Sequence, residues 1–268
     1  MLRGKDIQAI AGREKVRDTQ IEKDYVITWL LWGIAQQDLL KKHCVFKGGT
    51  VLKKAYFHNY RFSEDLDFTL ISELSNEQIG AAFNQSLELI EKESAIQFKI
   101  SAFEQHQSGS IAFYISYLGL LGGKIENKSV KIDITRGEKL LFKPTERPMF
   151  KSYNDLQAAN FSLLCYPLEE IMVEKLVALM GRTQPRDLYD IWYLLKENAV
   201  ELDFLTNEFA EKAQHKGHKS ENFLAIWQKK TPQFERQWRQ YLAHQIADLP
   251  EFEGVCRAIN RYFKVFSS

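Results

Sequence analysis

Cysteine is scarce in this 268-residue chain, which contains three cysteines that lie far apart in the sequence. Cys44, Cys165 and Cys256 show neither the closely spaced pairs of a zinc site nor the density of a disulfide framework. The six histidines likewise lack the spacing of metal ligands. This pattern argues against a fold that depends on zinc or disulfide bonds, and it favours buried thiols in a reducing cytoplasm.

Long apolar runs and a strong net charge are also missing. No stretch approaches the ~18 uninterrupted apolar residues of a membrane span, and the first residues lack the apolar core of a secretory signal. The formal net charge is +1, so any nucleic-acid-binding surface must be local. The proportions of 45% hydrophobic and 26% charged residues are typical of globular proteins. We therefore expect a cytoplasmic protein with no membrane partner.

The densest chemical signal lies between Val45 and Leu70, in VFKGGTVLKKAYFHNYRFSEDLDFTL. The pattern predicts a buried strand, a Gly-Gly-Thr turn, a brief helix and a second strand that carries Asp65 and Asp67. Side chains alternate along a strand, so both carboxylates project from one face, roughly 6–7 Å apart at the backbone. Carboxylates this close repel each other unless a cation lies between them, and Mg²⁺ prefers such oxygen ligands.

The turn formed by Gly48, Gly49 and Thr50 would present backbone N–H groups at a helix N-terminus, where anions bind. A phosphate-binding turn followed ~15 residues later by paired carboxylates indicates a protein that handles a nucleoside triphosphate (NTP). The spacing does not match G-x-x-x-x-G-K-[ST], which excludes a P-loop. Taken singly, a Gly-Gly is usually only a turn and a D-x-D only a solvated strand edge.

The ordered motif GGT…RFSEDLDF resembles the signature of the AbiEii/AbiGii-type nucleotidyltransferases, a branch of the DNA-polymerase-β-like superfamily. That family includes toxins of type IV toxin–antitoxin and phage abortive-infection systems. The resemblance implies that Asp65, Asp67 and a third strand carboxylate bind two Mg²⁺ ions. It also implies a set of residues that bind the phosphates or neutralise their charge: Gly48, Gly49, Thr50, Arg61 and Ser63.

Asp133 is the candidate for the third carboxylate. Apolar and polar residues alternate from Val130 to Thr135, which places Lys131 and Asp133 on one face of a predicted strand. Family members carry a K-x-D element here, so the resemblance makes Asp133 a metal ligand. The alternation fits equally well a half-exposed strand with a Lys–Asp pair on its wet face.

Two later helices carry a second group of candidates. The residues three and four positions from Lys175 are apolar, so this lysine either reaches water or faces a charged partner from another segment. Asp187 lies in the first turn of PRDLYDIWYLLKEN, where the helix dipole alone favours a carboxylate. The pattern K…R…RDLYD resembles the family's second signature. It implies that Lys175 contacts the nucleotide and that Asp187 completes the active site, supported by Asp190. Arg182 lies seven positions after Lys175 and nearly on the same face, so it is expected either to join Lys175 at the nucleotide or to compensate the helix C-terminus.

These patterns predict an α+β protein in two parts. Residues 1–150 form a nucleotidyltransferase domain with a small mixed β-sheet flanked by helices, and residues 151–268 form a mainly helical domain that completes the active site. The segment IEKDYVITWLL is assigned to packing, with Asp24 on the side of its helix away from the buried face. Aromatic residues recur at helical spacing in the C-terminal part, which favours a core over a base-stacking surface.

The expected reaction is attack by an acceptor hydroxyl on the α-phosphate of an NTP, with release of pyrophosphate. The resemblance implies an RNA acceptor such as a tRNA and a possible cognate antitoxin. Two alternatives remain open: a non-catalytic nucleotide- or partner-binding protein on the same fold, and a phosphoryl transferase.

Overall fold

The protein is described by a computed structural model at residues 1–94, 96–156 and 160–267, and backbone contacts divide it into two compact units. The first unit contains Met1–Glu138 and Pro144–Cys165, and the second contains Lys139–Lys143 and the chain from Tyr166 onward. The predicted boundary lies after residue 150. The contacts place it later, because the strand Ser162–Cys165 still belongs to the sheet of the first unit. Residues 157–159 and 268 of the predicted second domain lie outside the described residues.

A mixed seven-stranded sheet forms the centre of the first unit. Its strands follow the order β3-β4-β5-β2-β1-β7-β6, with β2 parallel to β5, β1 parallel to β7 and the other neighbours antiparallel. The strands are β1 Cys44–Lys47, β2 Asp65–Leu70, β3 Gln97–Gln105, β4 Ile111–Leu118, β5 Ser129–Thr135, β6 Thr145–Pro148 and β7 Ser162–Cys165. The predicted mixed sheet is thus confirmed.

Helices of the first unit pack around this sheet. They are α1 Gly4–Glu14, α2 Asp18–Gln36, α3 Asp38–His43, α4 Gly48–Val51 with its π-helical continuation Leu52–Tyr56, and α5 Asn76–Glu93. The inward side chains of the two central strands, Leu66 and Phe68 of β2 and Ile132 and Ile134 of β5, are fully buried. Since the apolar positions of β2 and β5 face the core, their polar positions share the opposite face.

The second unit is helical, as predicted for the C-terminal part. Its helices are α6 Leu168–Gly181, α7 Pro185–Lys196, α8 Thr206–His215, α9 Phe223–Leu242 and α10 Phe252–Tyr262. The tail aromatics mostly form its core, where Phe223 contacts Phe209 and Phe263 with ring centroids 5.1 Å and 4.9 Å apart. Within the described residues, no helix has the length and apolarity needed to cross a membrane.

The segment of residues 139–143 is held within the second unit by Glu170, which also forms a buried ion pair. Oε2 of Glu170 accepts hydrogen bonds from the backbone N–H groups of Leu141 and Phe142, each 2.8 Å long. Its Oε1 lies 2.8 Å from Nζ of Lys212, and both of these charged side chains are fully buried. Paired in this way, the two charges avoid the cost of burial without a partner.

Asp24 belongs to a buried polar cluster in the first unit, and its predicted placement away from the buried face of α2 is wrong. Nζ of Lys54, in the π-helical turn, donates to Oδ2 of Asp24 at 2.7 Å and to Oγ1 of Thr28 at 2.8 Å. The hydroxyl of Tyr153 donates to the same carboxylate at 2.7 Å. Burial alone would raise the pKa of Asp24, but the Lys54 ammonium and this hydroxyl outweigh burial and hold the pKa below its ordinary value.

We expect Lys54→Met to lower the free energy of unfolding by about 3–5 kcal/mol, because it leaves the Asp24 carboxylate buried without its counter-ion. Urea denaturation measures the change. Lys42→Met is the matched control, since Lys42 and its partner Asp38 are 65% and 86% exposed and such pairs contribute about 1 kcal/mol or less. An equal loss in both variants would contradict this account of the buried pair.

Candidate active site

Two parallel strands bring the first group of predicted site residues together. In the register of β2 and β5, Asp67 is the direct neighbour of Asp133, and Asp65 is the neighbour of Lys131. Neighbouring strands lie about 4.8 Å apart, and side chains two residues apart share a face. The three carboxylates predicted to bind metal therefore lie side by side on one face of the sheet, where all three are half-buried.

The Gly-Gly-Thr turn lies directly against the carboxylate strand. Gly48 has a φ of +80°, and a Cβ atom placed on it would lie 2.5 Å from Oδ2 of Asp67, so a side chain fits neither the backbone nor the space. Two residues later, Oγ1 of Thr50 donates to the backbone carbonyl of Asp65 at 2.6 Å. These contacts explain the glycine at position 48 and the hydroxyl at position 50 after β1.

Lys131 forms an ion pair with Asp133, with Nζ 2.9 Å from Oδ1. Burial lowers the pKa of Lys131, but the hydrogen bond and charge of Asp133, together with the charge of Asp65, outweigh burial and raise the pKa above its ordinary value. The Lys–Asp pair that the sequence left open as an alternative is therefore present. The same carboxylate also lies beside Asp67, so the pair does not remove Asp133 from the cluster.

The donor chemistry of the cluster suits a hard divalent cation, because all three predicted ligands are carboxylates. The side chains are nevertheless not grouped around one point. Over the described ranges, no set of three or more His, Cys, Asp or Glu side chains is arranged to hold a metal ion. Asp133 is turned toward Lys131 and Asp67 toward Gly48, so metal binding would require these carboxylates to reorient.

Arg61 and Ser63 lie in the irregular segment before β2. The strand begins at Asp65, although polar and apolar residues already alternate from Arg61 onward. Both side chains are largely buried, and Nη1 of Arg61 donates to the carbonyl of Phe62 at 3.3 Å. Arg61 and Ser63 therefore lie outside the strand that carries the carboxylates, although the alternating pattern continues into their segment.

The second group of predicted residues forms a buried ion cluster in the helical unit. Nζ of Lys175, on α6, lies 2.7 Å from Oδ1 of Asp187 and 2.8 Å from Oδ2 of Asp190, both on α7. The guanidinium of Arg182 donates to both oxygens of Asp187, at 2.8 Å from Nε and 3.1 Å from Nη2. Lys175 therefore faces charged partners from another helix.

The two cations keep Asp187 ionised although it is fully buried. Burial alone would raise the pKa of this carboxyl group, but the charges of Lys175 and Arg182 outweigh burial and hold the pKa below its ordinary value. Asp187 in turn fixes the ends of two long basic side chains. Because the two carboxylates balance the two cations and Lys175 is largely buried between them, the group that can face an anionic ligand is the Arg182 guanidinium, whose side chain is 53% exposed.

Lys230 anchors the turn that carries Arg182, a role that the sequence, in which it reads as part of a solvated charge run, did not indicate. Its Nζ donates to the carbonyl oxygens of Leu179, Met180 and Arg182 at 2.8, 2.9 and 3.1 Å. The last carbonyl groups of a helix have no partner within the helix and attract cations. Burial lowers the pKa of Lys230. No local signal identifies this contact, since the lysine lies on α9, about fifty residues further along the chain.

Comparison with known proteins places this arrangement in a family. The family model described as "Nucleotidyl transferase AbiEii toxin, Type IV TA system" matches residues 29–264, which include every predicted site residue. The chain belongs to this family. It is a nucleotidyltransferase toxin of the type IV toxin–antitoxin class, as the resemblance in its motifs implied. No curated protein matches the chain at a significant level.

Solved structures with the same fold share little sequence with this AbiEii-family toxin. MenT4, a nucleotidyltransferase toxin from Mycobacterium tuberculosis, is 16% identical with a TM-score of 0.64, covering 100% of this chain and 90% of MenT4. JHP933 from Helicobacter pylori is 15% identical with a TM-score of 0.50, covering 94% of this chain and 93% of JHP933. At such identities the likeness concerns the fold.

The depressed pKa of Asp187 gives a pH test of the ion cluster in the toxin. A carboxyl group whose pKa is lower in the folded state contributes stability above its unfolded pKa of about 3.9, and this contribution is lost as the pH falls through the folded value. We therefore expect the difference in free energy of unfolding between wild type and Asp187→Asn to be constant above about pH 5 and to shrink below about pH 4. Leu188→Ala is the control, because it removes a buried side chain without a titrating group. If the difference in free energy of unfolding between wild type and Asp187→Asn stays constant down to pH 2.5, a lowered pKa of Asp187 is ruled out.

The contribution of the Lys230 contacts to stability is tested by substituting two neighbouring lysines. We expect Lys230→Met to lower the free energy of unfolding by about 1–2 kcal/mol, because three helix-end carbonyls lose a charged donor. Lys229 is exposed, so Lys229→Met should change the free energy of unfolding by about 0.5 kcal/mol or less. Thermal denaturation of the two variants measures the difference, and indistinguishable midpoints would show that the contact has no energetic role.

Proposed function

We propose that this toxin transfers a nucleoside monophosphate from an NTP to a hydroxyl group of an RNA acceptor such as a tRNA, in a Mg²⁺-dependent reaction. The observation that carries the proposal is the contact of the Gly48 turn with Asp67, which in turn neighbours Asp133 across the sheet. A phosphate-binding turn and a carboxylate group in contact with each other are the two parts that nucleotidyl transfer needs.

The turn would hold the triphosphate. Backbone N–H groups at Gly48, Gly49 and Thr50 begin a helix, where partial positive charge and free donors favour a phosphate. Absence of a side chain at Gly48 lets the phosphates approach the backbone beside the carboxylates. In this proposal Ser63 adds a hydroxyl donor, and Arg61 offsets the charge that grows during transfer.

The residues Asp65, Asp67 and Asp133 would hold the divalent cations. When bound, two Mg²⁺ ions stabilise the attacking and leaving oxygens of the displacement. The acceptor oxygen forms the new bond to the α-phosphorus as the bond to the bridging oxygen breaks. Pyrophosphate leaves with the electron pair of that bond, and the hydroxyl proton passes through the carboxylates to water. Lys131 reduces the mutual repulsion of the three carboxylates, and on metal binding Asp133 would turn from Lys131 toward the cations.

The ion cluster of the helical unit is proposed to serve the same reaction. Lys175 and Arg182 would neutralise charge on the nucleotide, and Asp187 acts through them by holding both cations in a fixed orientation. Preoriented charge costs little reorganisation during transfer, which makes it more effective than mobile surface lysines. As a member of a type IV toxin family, the chain is also expected to have a cognate antitoxin.

Labelling of total RNA with each α-³²P-labelled NTP in the presence of Mg²⁺ tests this function. We expect wild type to label RNA and Asp65→Ala to reduce labelling by about 100-fold or more, because it removes a carboxylate proposed to hold the cations that stabilise transition-state charge. EDTA should have the same effect. Asp38→Ala is the matched control, since its carboxylate lies in an exposed surface pair.

The same assay separates the alternatives. Labelling by γ-³²P-labelled NTP in place of the α-labelled form would indicate phosphoryl transfer. Equal labelling by wild type and Asp65→Ala would refute the carboxylate mechanism. If neither wild type nor Asp65→Ala labels RNA although NTP still binds, the result would favour a non-catalytic binding protein in which the Lys131–Asp133 pair replaces a metal site.

A further inference from the structure

An open groove of about 600 Å³ lies on the sheet of the first unit, along β3, β4 and the start of β5. Tyr114, on β4 between β3 and β5, lines it and is half-buried. The other lining residues are mostly hydroxyl-bearing or charged, and of the described residues that form the groove only Ala102 and Ile125 are aliphatic. The groove therefore suits a polar ligand with a planar part better than an apolar side chain.

The groove continues the face that carries the catalytic carboxylates. In the antiparallel pair of β4 and β5, Tyr114 lies opposite Lys131, and Ser116 lies opposite Ser129. Residues directly opposite each other project from the same face, and so do alternate residues of one strand, which adds Asp133 to this set. Nζ of Lys131 links the two regions, since it lies 2.9 Å from the Asp133 carboxylate and 5.9 Å from the centroid of the Tyr114 ring.

The direction of the displacement assigns this groove to the acceptor. Attacking and leaving oxygens lie roughly in line on opposite sides of the phosphorus. The turn proposed to hold the triphosphate follows β1 and contacts Asp67 on β2. In the strand order β4-β5-β2-β1, the groove lies on the other side of the carboxylates. An acceptor hydroxyl that attacks away from the pyrophosphate must therefore approach from the side of β5 and β4.

We propose that this groove binds the acceptor nucleotide of a single-stranded RNA end, with its base stacked on the Tyr114 ring and its sugar directed toward Asp133. Base–aromatic stacking tolerates any base, because every base has a π-face. Ser116 and Ser129 supply hydroxyl partners for the sugar. Lys99 in the groove and Lys131 beside Tyr114 supply positive charge for the phosphates. The carboxylates of Glu104 and Glu126, which also line the groove, accept hydrogen bonds from amino groups of the base and from sugar hydroxyls. The assignment rests on the proposed nucleotidyl transfer and adds the place and the form in which the RNA binds.

Steady-state kinetics of Tyr114 variants test the groove. We expect Tyr114→Ala to raise the KM for RNA about tenfold while the KM for the NTP stays unchanged, since stacking is lost at the acceptor only. Tyr114→Phe keeps the ring and should retain the wild-type value, although it loses the 3.4 Å contact of the hydroxyl with Glu104. Tyr241→Ala, at a tyrosine of α9 that is 45% exposed, is the matched control. An unchanged KM for RNA in Tyr114→Ala, an equal rise in Tyr114→Phe, or labelling of a protein in place of RNA would overturn the proposal.

Direct binding separates this proposal from the proposed function. The dissociation constant of a fluorescent single-stranded RNA oligonucleotide is measured by anisotropy for wild type, Tyr114→Ala and Tyr241→Ala, without NTP. Weaker binding by Tyr114→Ala alone supports the groove even if no RNA is labelled, in which case only the proposed function fails. Labelling of RNA combined with binding that is independent of Tyr114 overturns the groove and leaves the proposed function intact. No measurable binding by wild type refutes the groove as an RNA site.

Discussion

Close approach between the Gly48 backbone and the Asp67 carboxylate is the constraint on which the arrangement of the site depends. The positive φ at Gly48 turns the chain sharply after β1, and the missing side chain leaves room for the carboxylate on β2. Thr50 then fixes the start of the helix to the Asp65 carbonyl. The Gly-Gly-Thr turn and the carboxylates are thus coupled through short, direct contacts, and their relative position does not depend on a flexible loop.

Buried charges provide the second constraint, and each unit uses them to tie together segments that are distant in sequence. Lys54 pairs with Asp24 in the first unit, and Lys212 pairs with Glu170 in the second. Such pairs contribute little net stability compared with apolar packing, but loss of one partner is costly. They therefore favour one arrangement of the helices over others, which suits a protein whose site groups come from several elements.

Much of the first unit could be predicted because its signals are local. Alternation through Asp65–Leu70 and Val130–Thr135 identified both carboxylate strands. The parallel register of these strands makes Asp67 and Asp133 neighbours. Short-range alternation did not give the start of β2, because the polar and apolar pattern continues into the irregular segment from Arg61. The alternation also did not distinguish a carboxylate ligand from a Lys–Asp pair, and the structure contains that pair within the carboxylate cluster.

The sequence by itself determined the family, the mixed sheet, the helical C-terminal part and the list of candidate site residues, because strand alternation, helix periodicity and short motifs are all set by neighbouring residues. Only the tertiary structure decided that Asp24 is buried against Lys54, that Asp187 and Asp190 share Lys175, and that Lys230 anchors the end of α6. These contacts join residues that are between twelve and about fifty positions apart. The periodicity of one element specifies which face is buried, whereas the partner that a buried charge meets depends on which elements pack against that face.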